Sequence, residues 1–187
     1  MTRPIHVLGI AGSLRKGSYN AALLAAAGEL LPDGMTLERF DLAPLPIFNE
    51  DLEAERFPGP VGHFHERIAA ADALLIVTPE YNHSIPGVLK NAIDWASRPP
   101  KKSPLNDKPV AVLGAATGTL GTVRAQVHLR VVCAYLNMHL LNKPEVYVGH
   151  AREKFDASGR LVDEETRRLV HELLIALSDW TGRLREG

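Results

Sequence analysis

The chain has 187 residues, with 21 Lys+Arg against 22 Asp+Glu, a formal net charge of −1, and 45% apolar residues. This length suits one domain with a full core, below the ~250–300 residues at which chains usually split. Near-neutral charge and an aromatic content of 6% remove the electrostatic footprint and stacking surface of a nucleic-acid binder.

The lone Cys133 excludes a disulfide framework and a cysteine-based zinc centre. Apolar runs such as Ala73–Val77 fall far short of the ~20 residues of a membrane-spanning helix. Ile5–Ala11 is apolar but is followed by Gly-Ser-Leu-Arg-Lys, so it does not read as a signal peptide, and the cytoplasm is the expected compartment.

In chain order, Ile5–Ala11 is short, β-branched and stopped by Gly12, the pattern of a strand covered on both faces. Ser18 then precedes the helix formers Ala21–Ala27, which end at Pro32-Asp33-Gly34. Met35–Leu42 alternates apolar with polar residues and predicts a second, less buried strand. Ala43–Pro60 carries four prolines and several acidic residues and reads as a long connection with little structure of its own. Val61, Phe64, Ile68 and Ala69 share one helical face.

Asp72–Thr78 predicts a third buried strand, and Pro86 suits the start of a helix running through Trp95. Lys108–Ala116 repeats the buried-strand pattern and Gly121–Met138 the helical one. His139–Leu141 and Glu145–Val148 fit one final strand interrupted around Pro144. Thr166, Leu169, Val170, Leu173, Leu174, Leu177 and Leu184 define a last helix. No internal repeat is visible. The alternation of five strands with helices implies an α/β fold, a parallel sheet of order 2-1-3-4-5 with helices on both faces. Ligands of such sheets bind beyond the carboxyl ends of the strands, where the strand order reverses.

That rule points to the loops after the first and third strands. Gly12–Asn20 concentrates peptide N–H groups, Ser13, Ser18, Arg15 and Lys16 where a helix dipole favours an anion. Gly12 and Gly17 have the spacing of a nucleotide P-loop, but Ser18 stands where its lysine would be; Gly9 and Gly12 do not complete G-x-G-x-x-G. A terminal monophosphate suits such a loop better than a triphosphate with magnesium, and a plain Ser-capped helix remains the alternative. After the third strand, Asn82, Ser84 and exposed peptide groups of Pro79–Trp95 can meet the edge of a flat heterocycle, with Tyr81 as apolar cover.

The two loops together resemble the NADPH-dependent FMN reductase family of flavodoxin-like proteins, particularly its quinone- and chromate-reducing branch. Ala115-Ala-Thr-Gly118, Arg124–Arg130 and Asn142-Lys-Pro-Glu145 extend the resemblance over nearly the whole chain. It implies one flavodoxin-like FMN-binding domain over residues 1–187, with three layers and a five-stranded sheet. Ser13, Arg15, Ser18, Tyr19 and Asn20 would hold the FMN phosphate end. Pro79, Glu80, Tyr81 and Asn82 would line the ring, largely through backbone groups, and Thr117 and Gly118 would approach the ring or ribityl chain. Ala116 stands where relatives often carry Ser. His83 and Val127 replace tyrosines that help join subunits in some relatives.

The implied chemistry is ping-pong transfer from NADPH or NADH through FMN to a quinone, a metal oxyanion such as chromate, an azo compound or free flavin. No protein nucleophile is required. A flavodoxin-type electron carrier is the competing reading, but it would be strongly acidic to dock basic partners. A flavin-free phosphate-binding domain would leave Pro79–Trp95 unexplained.

Other features have plain explanations. His63 and His65, two apart on a helix, point in different directions and predict no metal pair. Cys133 reads as a small buried hydrophobe, His128 as a packed or interface residue, Glu80 as structural, and Lys101-Lys102 as a solvated turn. Val123, Val127, Val131 and Ala134 form one apolar face of their helix, and Leu129, Val132 and Leu136 a second. One face can pack on the sheet; the other predicts a homodimer, which the family resemblance extends to a homotetramer. No nucleic acid and no membrane is expected as a partner, only a small-molecule electron acceptor.

Overall fold

The computed structural model describes residues 3–55 and 57–186. β1 (Ile5–Ala11), β2 (Met35–Phe40), β3 (Ala73–Val77) and β4 (Pro109–Ala115) form a parallel sheet in the order β2-β1-β3-β4. β5 (His139–Leu140) and β6 (Val146–Val148) both pair with β4, the first at Pro109–Val110 and the second at Leu113–Ala115. They are two pieces of one edge strand, so the order is 2-1-3-4-5, with the predicted interruption around Pro144.

The runs in β1, β3 and β4 are apolar throughout, yet the pleat still sorts them. Val7, Leu75, Val77, Ala111 and Leu113 face α1 (Tyr19–Glu29) and α7 (Glu164–Glu186). Leu8, Ile10, Leu74, Ile76, Val110 and Val112 face α3 (Gly59–Ala70), α4 (Gly87–Ala96) and α5 (Val123–Tyr135). A central strand covered on both sides needs apolar side chains at odd and even positions alike, which explains the unbroken runs. Each fully buried Leu, Ile or Val contributes about 1.5–3 kcal/mol. The edge strand β2 alternates, with Met35 buried and Thr36 and Arg39 exposed.

Several boundaries depart from expectation. The connection from Ala43 to Pro60 contains a short helix, α2 (Glu50–Glu55), whose Glu50, Asp51 and Glu53 favour the positive end of the helix dipole. Ala69 is exposed rather than packed; the covered face of α3 is Val61, Phe64 and Ile68. Pro86 sits at the cap, one residue before α4 begins. Another short helix, α6 (Ala151–Lys154), follows β6.

The two faces of α5 separate as the pattern predicts. Ala125, Gln126, Leu129 and Cys133 are buried, while Val127, Val131 and Tyr135 are exposed, Tyr135 to 88%. Burial pushes the Cys133 thiol up to about 12, despite the opposing charge of Arg130. Among the described residues no helix is long and apolar enough to cross a membrane.

Candidate active site at the carboxyl ends of the strands

Three loops leave the carboxyl edge of the sheet side by side, after β1, β3 and β4. Gly12 lets the first two approach. Its N–H donates to the Val77 carbonyl at 2.9 Å, and a Cβ at this position would stand 3.2 Å from both Pro79 and Leu89. In the first loop Ser18 is the N-cap of α1, its Oγ accepting from the Ala21 N–H at 3.3 Å. The Ser13 Oγ accepts from the Arg15 N–H at 3.4 Å. Both hydroxyls keep a proton to donate. The amides of Tyr19 and Asn20, in the first turn of α1, have no partner within the helix by geometry. The Arg15 guanidinium lies 5.8 Å from the centre of the Tyr19 ring.

Asn20 is 4% exposed, and its carboxamide bonds to the end of β4: Nδ2 donates to the Ala115 carbonyl at 2.9 Å, and the Ala115 N–H donates to Oδ1 at 2.8 Å. It braces the first loop against the third. The loop after β4 is held from its other side. The Ala116 N–H donates to the Val148 carbonyl, the Ala151 N–H to the Ala116 carbonyl, and the His150 N–H to the Gly118 carbonyl, at 2.9, 3.1 and 3.1 Å. Gly149 makes this possible, since a Cβ there would lie 2.4 Å from the Thr119 carbonyl oxygen. The sequence pattern did not reveal this strap.

After β3, Tyr81 and Ser84 exchange two backbone hydrogen bonds of 3.0 Å around Asn82 and His83, whose φ values are +51° and +61°. Positive φ at both central residues is the signature of a type I′ turn. Asn suits its position there because its short amide can bond locally; the bulkier His bears the cost of the conformation.

The loops enclose a hollow of about 170 Å³ lined by Ser13, Arg15, Ser18, Tyr19, Asn20, Pro79, Glu80, Tyr81, Ala115, Ala116 and Thr117. Nine of the eleven residues named from sequence therefore meet in one place. Asn82 and Gly118 do not line it; they shape the adjoining turns. The hollow is smaller than the few hundred Å³ of a typical small-molecule site, and Tyr81 at its border is 49% exposed. A larger cavity of about 850 Å³ lies at the opposite pole, beside Arg3, Asp72 and Arg185. Asp72 there binds both arginines at 2.5 Å, a staple between chain segments rather than a set of free donors.

His65 bonds to the Trp95 carbonyl while His63 is exposed near Glu66. Among the described residues no cluster of three or more His, Cys, Asp or Glu side chains could hold a metal ion.

Residues 5–153 match the family described as NADPH-dependent FMN reductase. The chain belongs to that family. It is 55% identical over 185 residues to an NAD(P)H-dependent FMN reductase of Pseudomonas aeruginosa, covering 99% of this chain and 100% of the relative. It is 44% identical over 171 residues to a 2-hydroxy-1,4-benzoquinone reductase of a Burkholderia species, covering 91% of this chain and 93% of the relative. The solved structure of FerB, a flavoenzyme NAD(P)H:(acceptor) oxidoreductase from Paracoccus denitrificans, superposes with a TM-score of 0.88 at 35% identity over 96% of this chain and 98% of that one. The parallel order and the layers of helices are those of the flavodoxin-like fold.

Proposed function

We propose that the chain is an FMN-dependent NAD(P)H oxidoreductase that passes electrons to a small-molecule acceptor, a quinone foremost. The observation that carries this reading is the meeting of the Ser13–Asn20 and Pro79–Tyr81 loops around one hollow. The donor set fits the group: two hydroxyls, Arg15 and the first-turn amides of α1 suit a phosphate monoester, and the peptide groups of Glu80 and Asn82, outside the Tyr81–Ser84 pairing, suit a heterocycle. Gly12 keeps the two loops close enough to serve one molecule. FMN supplies two-electron transfer between a nicotinamide and a second substrate.

In this reading Ser13, Arg15 and Ser18 bind the phosphate, with Tyr19 contributing its amide, and Asn20 acts as the brace behind them. Thr117 borders the hollow from the loop after β4, with Gly118 in the adjoining turn. Donor and acceptor use the flavin in turn, which is ping-pong order, because the two-electron carrier must be reduced by one substrate before it reduces the other. The named quinone reductases among the relatives favour quinones; metal oxyanions such as chromate, azo compounds and free flavin are the other acceptors of the proposal. A homodimer is part of the proposal, supported by the exposed stripe Val127, Val131 and Tyr135 along α5. The cytoplasm is the proposed compartment, supported by the nicotinamide chemistry and a single unpaired cysteine.

The test is anaerobic addition of NADPH to FMN-loaded protein, followed by a panel of acceptors. Loss of the oxidised flavin band before any acceptor is added, and its return with a quinone, is the expected result. A bound flavin that stays oxidised with both NADPH and NADH overturns the reading. Light scattering that returns a monomer at working concentration overturns the dimer.

A further inference from the structure

α5 lacks a cap of its own making. Thr122 stands at the cap position but makes no capping bond, because its hydroxyl accepts from Gln126 Nε2 at 3.0 Å. The service comes from a residue more than forty positions earlier: Glu80 Oε2 accepts from the Arg124 and Ala125 N–H groups at 2.9 and 3.2 Å. The Arg124 guanidinium lies 3.6 Å from Glu80 Oε1, and the Glu80 side chain is only 12% exposed. A carboxylate accepting two amides at the positive end of a helix forms charge-assisted bonds, stronger than neutral ones.

A second contact repeats the attachment one turn along. The Ser84 hydroxyl and His128 Nδ1 are 3.0 Å apart. Arg124 and His128 are four apart on α5 and so share a face. Between these anchors lies the tight turn with left-handed Asn82 and His83, closed by the two backbone bonds of Tyr81 and Ser84. The loop that borders the hollow is thus clamped at both ends to α5.

From these contacts we propose that Glu80 is a positioning residue for the flavin, its carboxylate holding the Pro79–Tyr81 segment that borders the hollow in place by anchoring it to the start of α5. The proposal rests on the FMN reading above. The carboxylate also fixes a negative charge at the border of the hollow, which disfavours adding electrons to a bound flavin. Glu80 donates no proton and attacks no substrate; its two amide bonds and the neighbouring guanidinium occupy it.

The experiment compares wild type, Glu80→Ala and Glu80→Gln in three measurements: FMN dissociation constant by flavin fluorescence, midpoint potential of the bound flavin, and thermal midpoint. Glu80→Ala is expected to weaken FMN binding about ten- to hundredfold, by analogy with the loss of metal affinity when the partner behind a metal ligand is removed. Glu80→Gln keeps an acceptor oxygen without the charge. It is expected to recover most of the affinity while shifting the potential to more positive values. A merely structural cap would lower the thermal midpoint and leave affinity and potential unchanged at temperatures where the protein is folded. That result, in whichever variants fold, overturns the proposal; Glu80→Gln, nearly equal in shape, decides alone if Glu80→Ala does not fold. Failure of the wild-type apoprotein to bind FMN removes the functional reading itself, and the proposal with it, before any variant is compared.

Discussion

Asn20 and Ala115 are joined by a closed pair of hydrogen bonds, 2.9 Å from Nδ2 to the carbonyl and 2.8 Å from the Ala115 N–H to Oδ1. A side-chain amide here imitates the neighbouring strand that the end of β4 lacks at that point, and it fixes the start of α1 relative to the third loop. Asn20→Ala would leave a buried N–H and a buried carbonyl unpaired. The expected loss is about 2–4 kcal/mol, read as a lower urea midpoint, together with weaker FMN binding. Stability within 0.5 kcal/mol of wild type, roughly the scatter of an ordinary surface substitution, would remove the brace from the account.

Ala116 offers a gain rather than a loss. Its backbone is held by Val148 and Ala151, so its side chain borders the hollow from a fixed position. Ala116→Ser adds a hydroxyl there without changing volume much. One added hydrogen bond predicts FMN binding tighter by about two- to twelvefold, measured by fluorescence titration of the apoprotein. Unchanged or weaker binding would mean that the hydroxyl finds no partner on the ligand.

His83 sits at φ +61° in the type I′ turn, a conformation that costs a residue with a Cβ about 1–2 kcal/mol. Glycine removes that cost and adds some unfolded-state entropy, so His83→Gly should stabilise the protein by about 0.5–1 kcal/mol. The corresponding rise in thermal midpoint is about 1–4 °C for a chain of this size. A fall would show that the imidazole makes a contact worth more than the strain.

At the opposite pole, Asp72 predicts a pH dependence. Burial is the largest influence on its carboxyl and acts to raise it, but the His6 N–H, Arg185 and Arg3 together outweigh burial and hold it below the ordinary carboxylate range. Folding therefore favours the ionised form. The stabilisation is complete above the unfolded value of about 3.9 and is lost as pH falls through the lower folded value. Asp72→Asn should cost about 1–3 kcal/mol at pH 7. The gap between variant and wild type should narrow in urea titrations below about pH 4. A gap that stays constant down to pH 2 would assign the effect to packing instead.

The strand order and the meeting of two loops were legible because both are written in short-range patterns. Apolar runs stopped by Gly12 and Pro79 mark strand ends, and the order of a doubly wound sheet then brings those ends together. What escaped depends on side chains that meet across long stretches of chain. The bond from Glu80 to Arg124 spans 44 residues and leaves no periodicity to read. The strap from Gly149 to Ala151 onto the third loop follows a strand of three residues, too short to announce itself. α2 was hidden because Glu50, Asp51 and Glu53 stabilise a helix through its dipole rather than through an apolar stripe.

Cys133 gives the molecule a built-in timer. It is the one thiol of the chain, lies wholly covered on the inner face of α5, and has its ionisation pushed up to about 12. A sulfhydryl-seeking dye at neutral pH can mark only those molecules whose helix has momentarily lifted from the sheet. The marking rate counts these openings, and its slowing when FMN is added would register, without any turnover, how firmly ligand and helix hold one another down.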